Sequence, residues 1–140
     1  MPYRIRSLGP LVAVAALTAA LAGAPAAAAQ TVREIRLEHD AASHEYRFNP
    51  SAVTAQAGDI LVFKVTGGGD HGIAFEDTMS PAARAALSAA MPRRVADLSG
   101  PLIGPRAEYR ITVPALPAGT YRFYCLPHRA YDEVGTLTIK

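Results

Sequence analysis

From residue 31 onward the apolar positions fall in short runs, most of them alternating with polar ones and each closed by glycine, proline or a short polar turn. Val32, Ile35 and Leu37 alternate imperfectly with Arg33, Glu34, Arg36 and Glu38, which predicts an edge strand over 31–38. Residues 46–50 form a second candidate strand, stopped by the turn signal Asn49-Pro50. Residues 53–57 form a third, and Gly58-Asp59 after it predicts a tight turn of hairpin character. Residues 60–65, Ile-Leu-Val-Phe-Lys-Val, are apolar nearly throughout and predict a central strand. Thr66-Gly-Gly-Gly-Asp70 breaks it, and 71–75 starts another. Residues 108–113, 120–124 and 135–139 complete a set of seven or eight short strands.

One segment has the helical period instead. Ser80 and Pro81 are a good N-cap and first helical residue, and Ala83, Ala86, Leu87 and Ala90 make an apolar stripe that Pro92 ends. Residues 93–105, with two Gly and two Pro, read as a loop. Short strands with turns every eight to twelve residues, and one helical insert, predict an all-β Greek-key β-sandwich.

Residues 1–29 have a different composition. Arg4 and Arg6 precede an uncharged apolar stretch at 11–21, and Ala27 and Ala29 stand just before Gln30. This is the layout of a signal peptide over 1–29, with periplasmic or secreted export as its consequence. The apolar stretch is too short and too rich in alanine for a membrane span, and an uncleaved anchor is the weaker alternative. Its removal takes two of the 14 basic residues and no acid, leaving 12 basic against 12 acidic. That balance excludes the basic stripe of a nucleic-acid binder. Residues 30–140 suffice for one small domain, expected to be a monomer with no membrane association after cleavage.

The chemistry gathers near the C-terminus. The single cysteine, Cys125, ends one predicted strand, and His128 follows across Leu126-Pro127. One cysteine cannot form an internal disulfide, so in an exported chain it points to a partner chain, a reactive thiol or a metal. Thiolate and imidazole on one loop make half of a soft-metal site suited to copper or zinc. Of the other histidines, His71 is the best third ligand, because it follows the glycine-rich break at one end of the predicted sandwich, where loops cluster. His39 and His44 lie in a polar stretch and read as solvated loop side chains, with a surface metal site the lesser alternative.

The segments Phe48-Asn-Pro50, Gly58-Asp59, His71-Gly-Ile-Ala-Phe75, Gly119-Thr-Tyr121, Tyr124-Cys-Leu-Pro-His128 and Gly135-Thr-Leu-Thr-Ile139 together resemble the cupredoxins, on the plastocyanin, pseudoazurin and amicyanin branch. The resemblance covers 46–140. It implies one copper ion held by His71, Cys125 and His128, single-electron transfer rather than enzymatic chemistry, and a redox partner protein docking on apolar surface around His128. Leu126, Pro127, Ala130 and Tyr131 supply that surface, and Tyr121 takes the role of a tyrosine corner. Tyr124, beside the ligand, reads mainly as core.

The family places an axial methionine five residues after the second histidine. Here that position is Glu133. Three alternatives stay open: Glu133 ligates, or it turns to solvent and leaves the carbonyl of Asp70 as the weak ligand, or Met79 or Met91 reaches in from the helical insert. A carboxylate in that place also keeps open a copper carrier or storage protein, and a small copper enzyme with an open coordination position.

Overall fold

The computed structural model describes residues 29–140. Apart from Ala29, the predicted signal peptide lies outside the described residues. Nine strands form two facing sheets: β1 (Val32–Asp40), β2 (Glu45–Asn49), β4 (Ile60–Val65) and β7 (Glu108–Thr112) in one, and β3 (Ala52–Ala55), β5 (His71–Phe75), β6 (Ser99–Ile103), β8 (Gly119–Cys125) and β9 (Val134–Ile139) in the other. The spatial orders are β2-β1-β4-β7 and β3-β9-β8-β5-β6. The expected all-β sandwich with one helix is what forms.

The core is the space between the sheets. Ile35 and Leu37 of β1, Leu61 and Phe63 of β4, Ile111 of β7, Phe123 of β8 and Leu137 of β9 are fully buried there. Phe48, Phe63 and Phe123 meet edge to face at 4.9–6.1 Å between ring centroids, the arrangement their ring quadrupoles favour. Burying large apolar side chains contributes about 1.5–3 kcal/mol each, so this cluster holds the sheets together without help from a metal. Tyr121 closes the turn before β8 by donating its hydroxyl to the Pro117 carbonyl at 2.8 Å, as expected of a tyrosine corner.

The helix α1 (Pro81–Ala90) links β5 to β6. The Ser80 hydroxyl accepts from the Ala83 N–H at 3.2 Å, and Ala83, Leu87 and Ser88 face inward. The cap and the stripe residues Ala83 and Leu87 match the prediction; Ser88 lies outside the predicted stripe, and Ala86 and Ala90 are only half-buried.

Three expectations are corrected. The segment predicted as an edge strand is interior: β1 pairs antiparallel with β2 on one side and parallel with β4 on the other. Gly58-Asp59 is no hairpin turn, because β3 and β4 belong to different sheets. Buried Asp59 instead accepts from the backbone N–H of Thr31 and Gln56, fixing the chain where it crosses between sheets. Finally, 99–103 is a strand, β6, and not loop.

Candidate metal centre

Strand direction brings the predicted ligands together. β5 and β8 run antiparallel with Ile73 opposite Cys125, so the start of β5, at His71, lies beside the end of β8. Beyond Cys125 the chain makes a short loop with a 3-10 turn at Arg129–Tyr131 and returns as β9. Backbone bonds pin this loop. Leu126 N–H donates to the Gly72 carbonyl at 3.1 Å, Cys125 N–H to the Glu133 carbonyl at 3.0 Å, and His128 N–H to the Cys125 carbonyl at 3.2 Å. Glu133 immediately precedes β9. Four side chains from three places in the sequence thus share one pole of the sandwich.

The donor atoms of His71, Cys125, His128 and Glu133 all lie within 4.8 Å of one another. Cys125 Sγ is 3.6 Å from Nδ1 of His71 and 3.4 Å from Nδ1 of His128. Metal–thiolate and metal–imidazole bonds of about 2.3 and 2.0 Å at a tetrahedral angle hold sulfur and nitrogen about 3.5 Å apart. The spacing therefore fits donors around one ion. Glu133 Oε1 and Oε2 lie 3.1 and 3.2 Å from Nδ1 of His71, and Oε2 lies 2.9 Å from Nδ1 of His128.

Charge argues the same way. Glu133, His71 and Cys125 are 0% exposed and His128 is 9% exposed. Among the described residues the carboxylate finds no Lys, Arg or backbone N–H, only the two imidazoles and the Cys125 thiol. The Nε2–H of His71 is committed to the Gly67 carbonyl at 2.7 Å, which leaves its Nδ1 as the acceptor of the neutral ring. Without an ion, burial would pull the His71 pKa down, but the hydrogen bond and charge of Glu133 outweigh it and raise it. Burial lowers that of His128. Burial also pushes the Cys125 thiol up to about 12, against the Gly72 N–H that donates to Sγ at 3.4 Å. A buried carboxylate facing two imidazoles and a thiol is a site completed by a cation, and a set of one sulfur, two nitrogens and one oxygen suits copper.

The alternatives for the fourth donor separate in space. β5 runs away from the site, so Met79, four residues beyond Phe75, leaves from the opposite end. Met91 is buried in the core cluster that holds Leu87. Glu133 points inward and is sealed from solvent.

Two features had no signal in any one stretch of sequence. Tyr46 of β2 stacks on the His128 ring, with centroids 3.8 Å apart and planes 21° from parallel. His39 stacks on Tyr46 at 4.3 Å and is half-buried, so it is not a free loop side chain, whereas His44 is exposed. Leu102 of β6 stands beside Leu126 and Pro127 over Gly72, and is 60% exposed. Tyr124 is half-buried rather than core, with the Arg129 guanidinium 4.1 Å over its ring.

Known proteins agree with this geometry. The family of copper-binding proteins of plastocyanin/azurin type matches residues 35–140. The plastocyanin of Prochlorothrix hollandica is 33% identical over 130 residues, covering 93% of this chain and 88% of that protein. The chloroplastic plastocyanin of Pisum sativum is 36% identical over 92 residues, which are 66% of this chain but only 51% of the pea protein, so the chain spans about half the length of that relative. Oxidised plastocyanin from Dryopteris crassirhizoma superposes with a TM-score of 0.59 at 26% identity, over 77% of this chain and 100% of that one. A thiol and two imidazoles at one pole of a Greek-key sandwich, joined to these likenesses, place the chain in the plastocyanin/azurin family of copper-binding cupredoxins, whose plastocyanin members carry electrons rather than catalyse reactions.

Proposed function

We propose that this protein is an exported carrier of single electrons that would hold one copper ion through His71, Cys125 and His128, with Glu133 at the sequence position where the family has its axial methionine. The observation that carries the reading is the buried convergence of the four donors within 4.8 Å. Copper supplies the one-electron couple when bound. The chain's own residues do the rest. The Gly72 N–H steadies the Cys125 sulfur at 3.4 Å, and the Gly67 carbonyl fixes the His71 tautomer at 2.7 Å. The two sheets keep the donors from relaxing when the charge of the site changes, which keeps reorganisation small.

Burial of all four donors favours a carrier over an enzyme with an open coordination position. The periplasmic or secreted reading rests on the signal-peptide layout of residues 1–29; among the described residues no helix is long and apolar enough to cross a membrane. For docking, Leu102, Leu126 and Tyr131 are 60%, 51% and 59% exposed. With Pro127 they form apolar surface around His128 where a redox partner can approach the ring, and a small weak interface suits rapid exchange. The protein acts as a monomer in this reading.

The test is copper(II) addition to the apoprotein in air. A strong visible charge-transfer band from Cys125, with one copper bound per chain, is expected; a colourless product overturns the proposal. A second reading, copper carriage, draws on Glu133, because a hard carboxylate favours Cu(II). Voltammetry separates the two: a reversible couple with rapid self-exchange supports electron transfer, and an irreversible couple supports carriage.

A further inference from the structure

The tip of the β1–β2 hairpin reaches the metal pole, although none of its residues belongs to the four-donor set. His39 and Tyr46 are cross-strand partners there. Tyr46 takes His128 on one ring face at 3.8 Å and His39 at 4.3 Å, with interplanar angles of 21° and 30°. Two rings that close and that nearly parallel to Tyr46 must occupy its opposite faces. The result is a three-ring column, His39–Tyr46–His128, with the His71 and His128 ring centroids 4.6 Å apart and their planes at 70°.

The glycine-rich break is shaped around this column. A Cβ at Gly68 would lie 2.7 Å from His39 Cβ, 2.9 Å from Tyr46 Cε1 and 3.2 Å from His71 Nε2, and its φ is +87°. Any other residue there would push at once into the Cβ of His39, the Tyr46 ring and the ligand His71. The neighbouring Gly67 carbonyl holds His71 at 2.7 Å. One loop thus lies against the stem of His39 and the rings of Tyr46 and His71 together.

His128 needs such a brace. Its own backbone is held by single bonds within a short loop, from its N–H to the Cys125 carbonyl at 3.2 Å and from the Tyr131 N–H to its carbonyl at 2.9 Å. The loop's ends hold the ring at one edge, with Nδ1 2.9 Å from Glu133 Oε2 and 3.4 Å from Cys125 Sγ, and its face is left to Tyr46. Resting on the copper reading above, we infer that Tyr46, backed by His39 and seated by Gly68, is the positioning residue for His128: the column holds the imidazole at one orientation whether or not an ion is present. Tyr46 touches the ligand and not the copper, so it acts only through His128.

The experiment compares wild type with Y46F, which keeps the stacked ring, and Y46L, which removes it. In the copper-free protein, NMR of the His128 ring protons reads the column directly. Wild type and Y46F should show ring protons displaced by the aromatic face, and Y46L should show them moved towards free-histidine values with faster ring motion. In the copper protein, an aromatic contact of this kind corresponds to roughly a two- to tenfold change in an equilibrium or rate. Release of copper to a chelator should therefore accelerate by that factor in Y46L and not in Y46F, with altered copper hyperfine coupling in the EPR spectrum of Y46L alone. Unchanged His128 ring signals and copper release in Y46L overturn the inference. Should Y46L not fold, H39A loosens the outer face of the column and must shift the same signals in the same direction; if it does not, the inference fails. The copper-free measurement stands even if wild type forms no coloured copper complex, so failure of the copper reading and failure of the brace remain distinguishable.

Discussion

Glu133 Oε2 lies 2.9 Å from Nδ1 of His128, five residues before it in the chain, and the carboxylate is fully buried. An anion in such a place is stable only beside positive charge. In the metal-free protein Glu133 raises the pKa of His71 and so favours a proton on that ring; in the loaded protein the ion supplies the positive charge. The residue that departs most from the expected ligand set is therefore the one that most demands a cation.

If Glu133 ligates copper, Glu133→Met replaces a hard oxygen by a soft thioether. The reduction potential should rise, because Cu(I) gains relative to Cu(II). Glu133→Gln keeps the shape but removes the charge, and should raise the potential as well. Both should change the visible and EPR spectra of the copper protein. Spectra identical to wild type in both variants would remove Glu133 from the ligand set and return the Asp70 carbonyl to consideration.

Cys125→Ser should abolish the visible band and leave the fold intact. The aromatic cluster of Phe48, Phe63 and Phe123 holds the sandwich independently of the metal pole. The serine hydroxyl is smaller than the thiol and can still accept from the Gly72 N–H. Destabilisation of the metal-free protein should stay near about 1 kcal/mol, the usual scale for one altered buried hydrogen bond. Urea unfolding of the two metal-free proteins checks this.

The Cys125 thiol also sets an alkaline limit on the metal-free protein. Burial raises its pKa from 9.0 to about 12 in the folded state. Below pH 9 the thiol is protonated in both folded and unfolded chains, and the stability this provides is fully present. Between about 9 and 12 the unfolded chain loses its proton first, so stability falls as pH rises through that window. Cys125→Ser removes the effect. Copper removes it too, since the bound sulfur is already a thiolate, and copper uptake should accordingly release protons and tighten as pH increases. Denaturation midpoints at pH 8 and 10, with and without copper, test the sign. Equal midpoints for the metal-free wild type at both values contradict it.

Local chemistry was legible in the sequence, and partnership across the sheets was not. Ser80 and Pro81 announced the helix because capping depends on neighbours in the chain. Cys125 and His128 announced a metal because they share one loop. By contrast, the alternation of charges over 31–38 suits an edge strand, and only the parallel pairing of β1 with β4, from Val32 opposite Ile60 to Leu37 opposite Val65, makes it interior. Ser99-Gly-Pro-Leu-Ile reads as loop because Gly and Pro are poor strand residues. Yet Gly100 is needed there: a Cβ would stand 2.7 Å from the Tyr109 ring, which is buried against it. Tyr46 gave no sign at all, since the ring it covers lies 82 positions later in the chain. Long-range contacts of this kind decide the surroundings of a site whose ligands are plain from short motifs.

Gly135 ties the core to the metal pole, and its substitution should disturb both. A Cβ at this position would lie 2.4 Å from Cε2 and Cζ of Phe123 and 3.0 Å from the Ser51 carbonyl. Phe123 is fully buried and packs against Phe48, Phe63 and Phe75, so it has little room to retreat. Gly135 sits opposite Phe123 in the β8–β9 ladder, two residues after Glu133. Overpacking of a dense core typically destabilises by about 1–3 kcal/mol, and Gly135→Ala should fall at the upper end of that range. Because β9 must shift to admit the methyl, Glu133 should shift with it, and the copper spectrum should change together with the stability. Gly72→Ala is the contrasting variant: its Cβ would meet Leu102 Cδ2 at 3.2 Å, the end of a side chain that is 60% exposed and free to move. It should leave stability nearly unchanged. A Gly135→Ala protein as stable as Gly72→Ala, with an unaltered spectrum, would show that β9 does not transmit core packing to the metal pole.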